Sequence, residues 1–118
     1  KLRVPKDKFS VYKKIIYIPK NFPLKNFRPA RMKYRNVVST ANCDAGIVIS
    51  GRWGSLNEFT NLIDMGKVVG VLTGTGGIAE ELSSLNKKIQ KAGSGKIIFS
   101  NSPEKLVQLV LNELKNGK

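Results

Sequence analysis

The stretch AGIVISGRWGSLNEF (45–59) decides how the rest of the chain is read. A short apolar run rich in β-branched residues leads into a turn with Gly51 and Gly54. A helical stripe follows, with Leu56, Phe59, Leu62 and Ile63 at three- and four-residue spacing. A strand that passes through a glycine turn into a helix is the repeating unit of open parallel sheets. Working outward, three further runs have the same character: KIIYIP (14–19), KVVGVL (67–72) and KIIFS (96–100). Each is nearly continuous in apolar residues rather than alternating, the pattern of strands covered on both faces.

Helical periodicity fills the intervals. The spacing predicts helices over 31–41, 55–65, 77–92 and 102–115, the last with Ser102 as N-cap and Pro103 at its first position. Strands alternating with helices predict an α/β fold with an open, mostly parallel sheet flanked by helices. The Pro/Asn-rich segment 19–30 is the one long loop candidate. We divide the chain into a basic segment 1–29, holding the first strand and this loop, and an α/β domain 30–118.

Composition narrows the chemistry. The 118 residues make one domain, and 41% hydrophobic content supports one core. There is no histidine and a single cysteine, Cys43, so Ser–His, Cys–His and zinc–histidine sites and internal disulfides are excluded. No acidic cluster suggests a metal, and no cofactor is expected. No run approaches the ~20 apolar residues of a membrane span, and the opening residues lack a signal-peptide core, so a cytoplasmic protein with no membrane partner is expected. The net charge of +13 is uneven: residues 1–36 carry twelve Lys or Arg against Asp7, and residues 37–118 carry nine against seven acids. Such an arm is either a solvated face or an attractor of phosphates. Tyr12, Tyr17, Phe22, Phe27 and Tyr34 are interleaved with it, a pattern that also suits single-stranded nucleic acid. The absence of an initiating Met reads as a fragment, or as a fold with more strands before residue 1.

Glu58 has two readings. Ser55-Leu56-Asn57-Glu58 fits the S-x-x-E capping box, worth about 1 kcal/mol. Alternatively Gly51 and Gly54 let backbone amides at a helix start approach a phosphate, with Glu58 as a working carboxylate beside it. Trp53, in the middle of the turn, is either a core anchor or a flat wall for a base or ribose.

SGRWGSLNEF resembles the G-G-x-G-T-x-x-E motif of the LOG-like proteins, often labelled lysine decarboxylase-like and related to molybdenum-cofactor carriers. MKYRN (32–36) is similar to the family's M-x-x-R-K/N element, and GVLTGTGGIAEEL (70–82) to its later glycine loop. Arg35 and Glu58 lie 23 residues apart, similar to the spacing of the family's catalytic pair. Arg52 and Ser55 stand where the motif has Gly and Thr, and the family's first β-α-β section has no counterpart here. The resemblance implies a Rossmann-like homodimer that binds a nucleotide and hydrolyses the N-glycosidic bond of a nucleoside 5′-monophosphate. It implies Arg35 and Glu58 as catalytic, with Gly51, Arg52, Gly54, Ser55, Thr73, Thr75 and Gly76 around the phosphate. The alternatives are a non-catalytic nucleotide or cofactor carrier or sensor, and a basic nucleic-acid-binding domain.

Other constellations are weaker. GTGGIA (74–79) fits a dinucleotide fingerprint, but the next strand closes on Asn101 and not on a ribose-binding acid. The loop lacks a Walker lysine. Asp44 and Asp64 read as a turn residue and a surface group, and no lysine is marked out as a cofactor carrier for decarboxylation.

Overall fold

The computed structural model describes residues 14–89 and 95–117. Three parallel strands, β1 (Ala45–Ile49), β2 (Val68–Leu72) and β3 (Lys96–Ser100), pair in the order β1-β2-β3. Four helices accompany them: α1 (Arg28–Asn42), α2 (Trp53–Asp64), α3 (Leu82–Ile89) and α4 (Pro103–Asn116). A 3-10 turn, Gly77–Glu80, precedes α3. The result is the open, parallel, Rossmann-like α/β sheet that the alternating periodicities predict.

Pairing register explains the two faces. Gly46 and Val48 stand beside Val69 and Val71 on one face, where Phe59 and Leu62 of α2, Ala79 and Leu82 complete the buried core. On the other face Gly70 lies under α4. A Cβ on Gly70 would come within 2.9 Å of Val110 and 3.1 Å of Leu106, so the missing side chain sets how closely α4 packs. Leu106, Val69, Val71 and Leu82 are fully buried, each worth roughly 1.5–3 kcal/mol. Among the described residues, β2 alone is covered on both sides. α4 packs on β2 and β3, and Ile47 and Ile49 of β1 remain exposed.

One expected strand is absent. Residues 14–19 take no regular structure, and Ile16 and Tyr17 are about half exposed. Apolar continuity makes a strand only where an edge offers it a partner, and Pro19 removes a donor. Beyond it, hydrogen-bonded turns from Pro19 to Phe27 lead into α1. The ring of Phe22 packs 4.8 Å from that of Tyr34, pinning this segment to the helix. α1 starts earlier than the 31–41 periodicity indicates, because Pro29 suits its first turn. The pattern over 77–92 divides into the 3-10 turn and α3; residues 90–94 lie outside the described ones. Ser102 caps α4 through Lys105 N–H, as its sequence indicates.

Gly70→Val is expected to push α4 off the sheet and cost about 1–3 kcal/mol, read as a lower urea midpoint with an unchanged far-ultraviolet spectrum in native buffer.

Candidate functional site at the carboxyl end of the sheet

The turn after β1 is built around unusual backbone angles. Ser50 has φ of 51°, the left-handed region that non-glycine residues seldom enter, and Gly51 follows at 96°. Three hydrogen bonds hold this conformation. Ser50 N–H donates to Thr75 Oγ1 at 2.8 Å, Ala79 N–H donates to the Ser50 carbonyl at 3.0 Å, and Ile78 N–H donates to the Gly51 carbonyl at 2.9 Å. The two glycine turns are thereby joined. Gly77 makes the contact possible, since a Cβ there would lie 2.5 Å from the Gly51 carbonyl oxygen.

α2 begins at Trp53, with Arg52 as an N-cap whose side chain makes no capping bond. The capping box is therefore not formed. Ser55 lies inside the first turn, where its hydroxyl cannot cap, and Glu58 lies beyond the reach of the helix start. The first N–H groups of α2 point from the positive end of its dipole with no side-chain acceptor among the described residues. No heavy atom lies within 4 Å of where a Gly54 Cβ would stand, so the space above them is open. Ser55 packs over Gly51, where a Cβ would meet its Cβ and Oγ at 2.5 Å.

Below this turn, an open groove of about 430 Å³ runs beside β1, within the size range of small-ligand sites. Glu58 and Ser55 line it, with Thr40 and Cys43 of the α1 end and Ile49. Glu58 is half-buried and forms no salt bridge among the described residues. Arg35 lies on the exposed side of α1 and does not line the groove. Its neighbour Asn36 is buried and donates from Nδ2 to Asn57 Oδ1 at 2.9 Å, next to Glu58. Arg35 and Glu58 therefore flank one helix junction without forming an ion pair. A hollow of about 490 Å³, lined in part by Lys67, Lys96 and Glu113, lies at the opposite end of the strands, away from both glycine turns.

The second glycine turn is largely engaged with itself. Thr75 Oγ1 donates to the Leu72 carbonyl at 2.7 Å while accepting from Ser50. The Gly74 and Gly76 N–H groups donate to Glu80 Oε1 at 2.6 and 3.3 Å, and Thr73 N–H donates to the Ser100 carbonyl at 2.9 Å. Arg52 is exposed at the mouth of the first turn, and Trp53 beside it is 81% exposed, which removes the core-anchor reading of that residue. Sequence reasoning missed the Asn36–Asn57 bond and the role of Glu80. Asparagine on a helix carries no mark of burial, and Glu80 reads as a solvated charge until the glycine turn folds back on it.

Comparison with known proteins agrees with this fold. Residues 29–107 match the family model described as SLOG cluster4, SLOG denoting the SMF/DprA-LOG superfamily. The X-ray structure of TM1055, a structural-genomics target, superposes with a TM-score of 0.60 at 25% identity, covering 69% of this chain. The chain spans 49% of the length of TM1055. No curated protein gives a significant match.

Ser55→Ala is expected to change stability by less than about 0.5 kcal/mol, where a lost cap would cost about 1 kcal/mol. Gly77→Ala, by contrast, collides with the Gly51 carbonyl at a φ of 58° and is expected to lower the melting temperature by several degrees. Calorimetry on the two variants distinguishes them.

Proposed function

Because the chain belongs to the SLOG cluster4 family, we propose that its first glycine turn binds the phosphate of a nucleoside 5′-monophosphate and that Glu58 acts on the N-glycosidic bond. The observation that carries this reading is the uncapped start of α2 above a groove holding the Glu58 carboxylate, which forms no salt bridge among the described residues. In this reading Gly51 makes the sharp turn over which Ser55 packs, the open side of Gly54 admits the phosphate, the N–H groups of the first turn of α2 donate to it, and the Ser55 hydroxyl adds a donor. Thr73, Thr75 and Gly76 form the opposite wall, Thr75 by holding Ser50 in place.

Electrostatics fix the orientation. A carboxylate about 5 Å from a phosphate charge is repelled by roughly 3 kcal/mol at an effective dielectric near 20. Glu58 must therefore face the ribose, with Arg52 at the turn and Arg35 at the helix junction offsetting the charge between. There it stabilises the positive charge developing at C1′, or takes a proton from the attacking water. Water adds to C1′ as the C1′–N bond breaks, and the base leaves with the proton, giving free base and ribose 5-phosphate. The fold favours a nucleotide-related function in either case. A carrier or sensor on the same scaffold is favoured by one observation, that Arg35 does not line the groove. We also propose a homodimer, with a second copy covering the exposed Ile47 and Ile49 of β1.

The test is incubation with a panel of nucleoside monophosphates, following free base and ribose 5-phosphate. Glu58→Gln is expected to lower turnover at least 100-fold while retaining nucleotide binding. Turnover unchanged in Glu58→Gln rejects the catalytic role, and saturable binding without turnover in the native chain selects the carrier. Sedimentation at the monomer mass of 13.0 kDa rejects the dimer.

A further inference from the structure

An exposed tryptophan on an ordered turn is unusual, because its large apolar surface is normally covered. Trp53 is the only tryptophan of the chain, and it projects from the carboxyl end of the sheet. A second, independent feature meets it there. From Lys14 to Cys43 the chain carries seven Lys or Arg and no Asp or Glu. None of these seven forms a salt bridge with a described residue. Within α1, Arg28, Arg31 and Arg35 fall at three- and four-residue spacing, so they form one exposed ridge about 5–6 Å from residue to residue.

The topology brings ridge and ring to the same end. α1 enters β1 through only Cys43 and Asp44, so it runs opposite to the strand, as α2 does on leaving it. The Asn36–Asn57 hydrogen bond sets their relative height. Asn57 lies four residues, about 6 Å, below the start of α2, and Asn36 eight residues, about 12 Å, below the start of α1. The first turns of α1 therefore rise to and beyond the level of Trp53. Phe27, 59% exposed, stands at the head of the ridge.

We propose that this end of the molecule binds single-stranded nucleic acid, with an unpaired base stacked on Trp53 and the phosphates of the strand on Arg28, Arg31 and Arg35. Flat exposed rings at the same end of the molecule as a regular row of guanidiniums suit a strand whose bases are free to stack; duplex bases are not available to them. An anionic membrane surface is the less suitable partner, because interfacial helices bury a broad apolar face and this ridge presents cations. The inference needs neither Glu58 nor glycosidic hydrolysis.

The whole chain is titrated with a ten-residue oligodeoxythymidylate while its tryptophan fluorescence, which reports Trp53 alone, is followed. Anisotropy of the labelled oligonucleotide is measured across a salt series. Saturable quenching is expected. Trp53→Ala should weaken binding roughly tenfold and Trp53→Phe should restore most of it. The triple variant Arg28→Ser, Arg31→Ser, Arg35→Ser, checked for native circular dichroism, should flatten the slope of log affinity against log salt by about 2. Affinity unchanged in Trp53→Ala, an unchanged salt slope in the triple variant, or capture by phosphatidylserine vesicles with none by the oligonucleotide each overturns the proposal. Mononucleotide turnover without oligonucleotide binding removes this inference alone, and oligonucleotide binding without mononucleotide binding removes the glycosidic reading alone.

Discussion

Two carbonyl groups at the end of β1, those of Ser50 and Gly51, hold the carboxyl end of the sheet in one arrangement. They accept from Ala79 and Ile78, so the first glycine turn cannot move without breaking the 3-10 turn that precedes α3. Each such bond contributes a net ~1 kcal/mol. The left-handed backbone of Ser50 costs about 1–3 kcal/mol, an amount these bonds and the Thr75 hydroxyl offset. Strain of this kind persists only where surrounding contacts over-determine it. Here it turns the chain sharply enough for α2 to start with open amides.

The two glycine turns divide their tasks accordingly. In the second, the donors are consumed by Glu80, Leu72 and Ser100, which makes it a brace. In the first, the helix start keeps its donors open, and a carboxylate waits below. A brace beside an uncapped helix start gives rigidity without covering its amides. The groove under it is also bounded by the unshared edge of β1, so its shape depends on α1, which Asn36 ties to α2.

Much of this was legible in the sequence. Three of the four apolar runs form strands, and all four helices announce themselves by helical spacing. The family resemblance was carried by the turn 50–58 and by residues 32–36. What periodicity could not supply was neighbourhood. KIIYIP (14–19) has the composition of a strand and no edge to pair with, and Ser55 has the spacing of a cap in a helix that starts two residues earlier. Trp53 illustrates the same limit, since hydrophobicity alone places it inside and only the path of the turn places it outside. The buried Asn36 was illegible for the opposite reason: its partner Asn57 lies 21 residues away.

The charge pattern of α1 has an energetic consequence of its own. Its first turn holds no acid and includes Arg28 and Arg31, cations set against the positive pole of the helix. Each opposes the peptide dipoles by roughly 0.3–1 kcal/mol at low ionic strength. The helix is held by the Phe22–Tyr34 contact and the Asn36–Asn57 bond rather than by its own ends. Its upper turns are thus prone to fray in dilute buffer, and counter-ions that neutralise the guanidiniums wind them tighter.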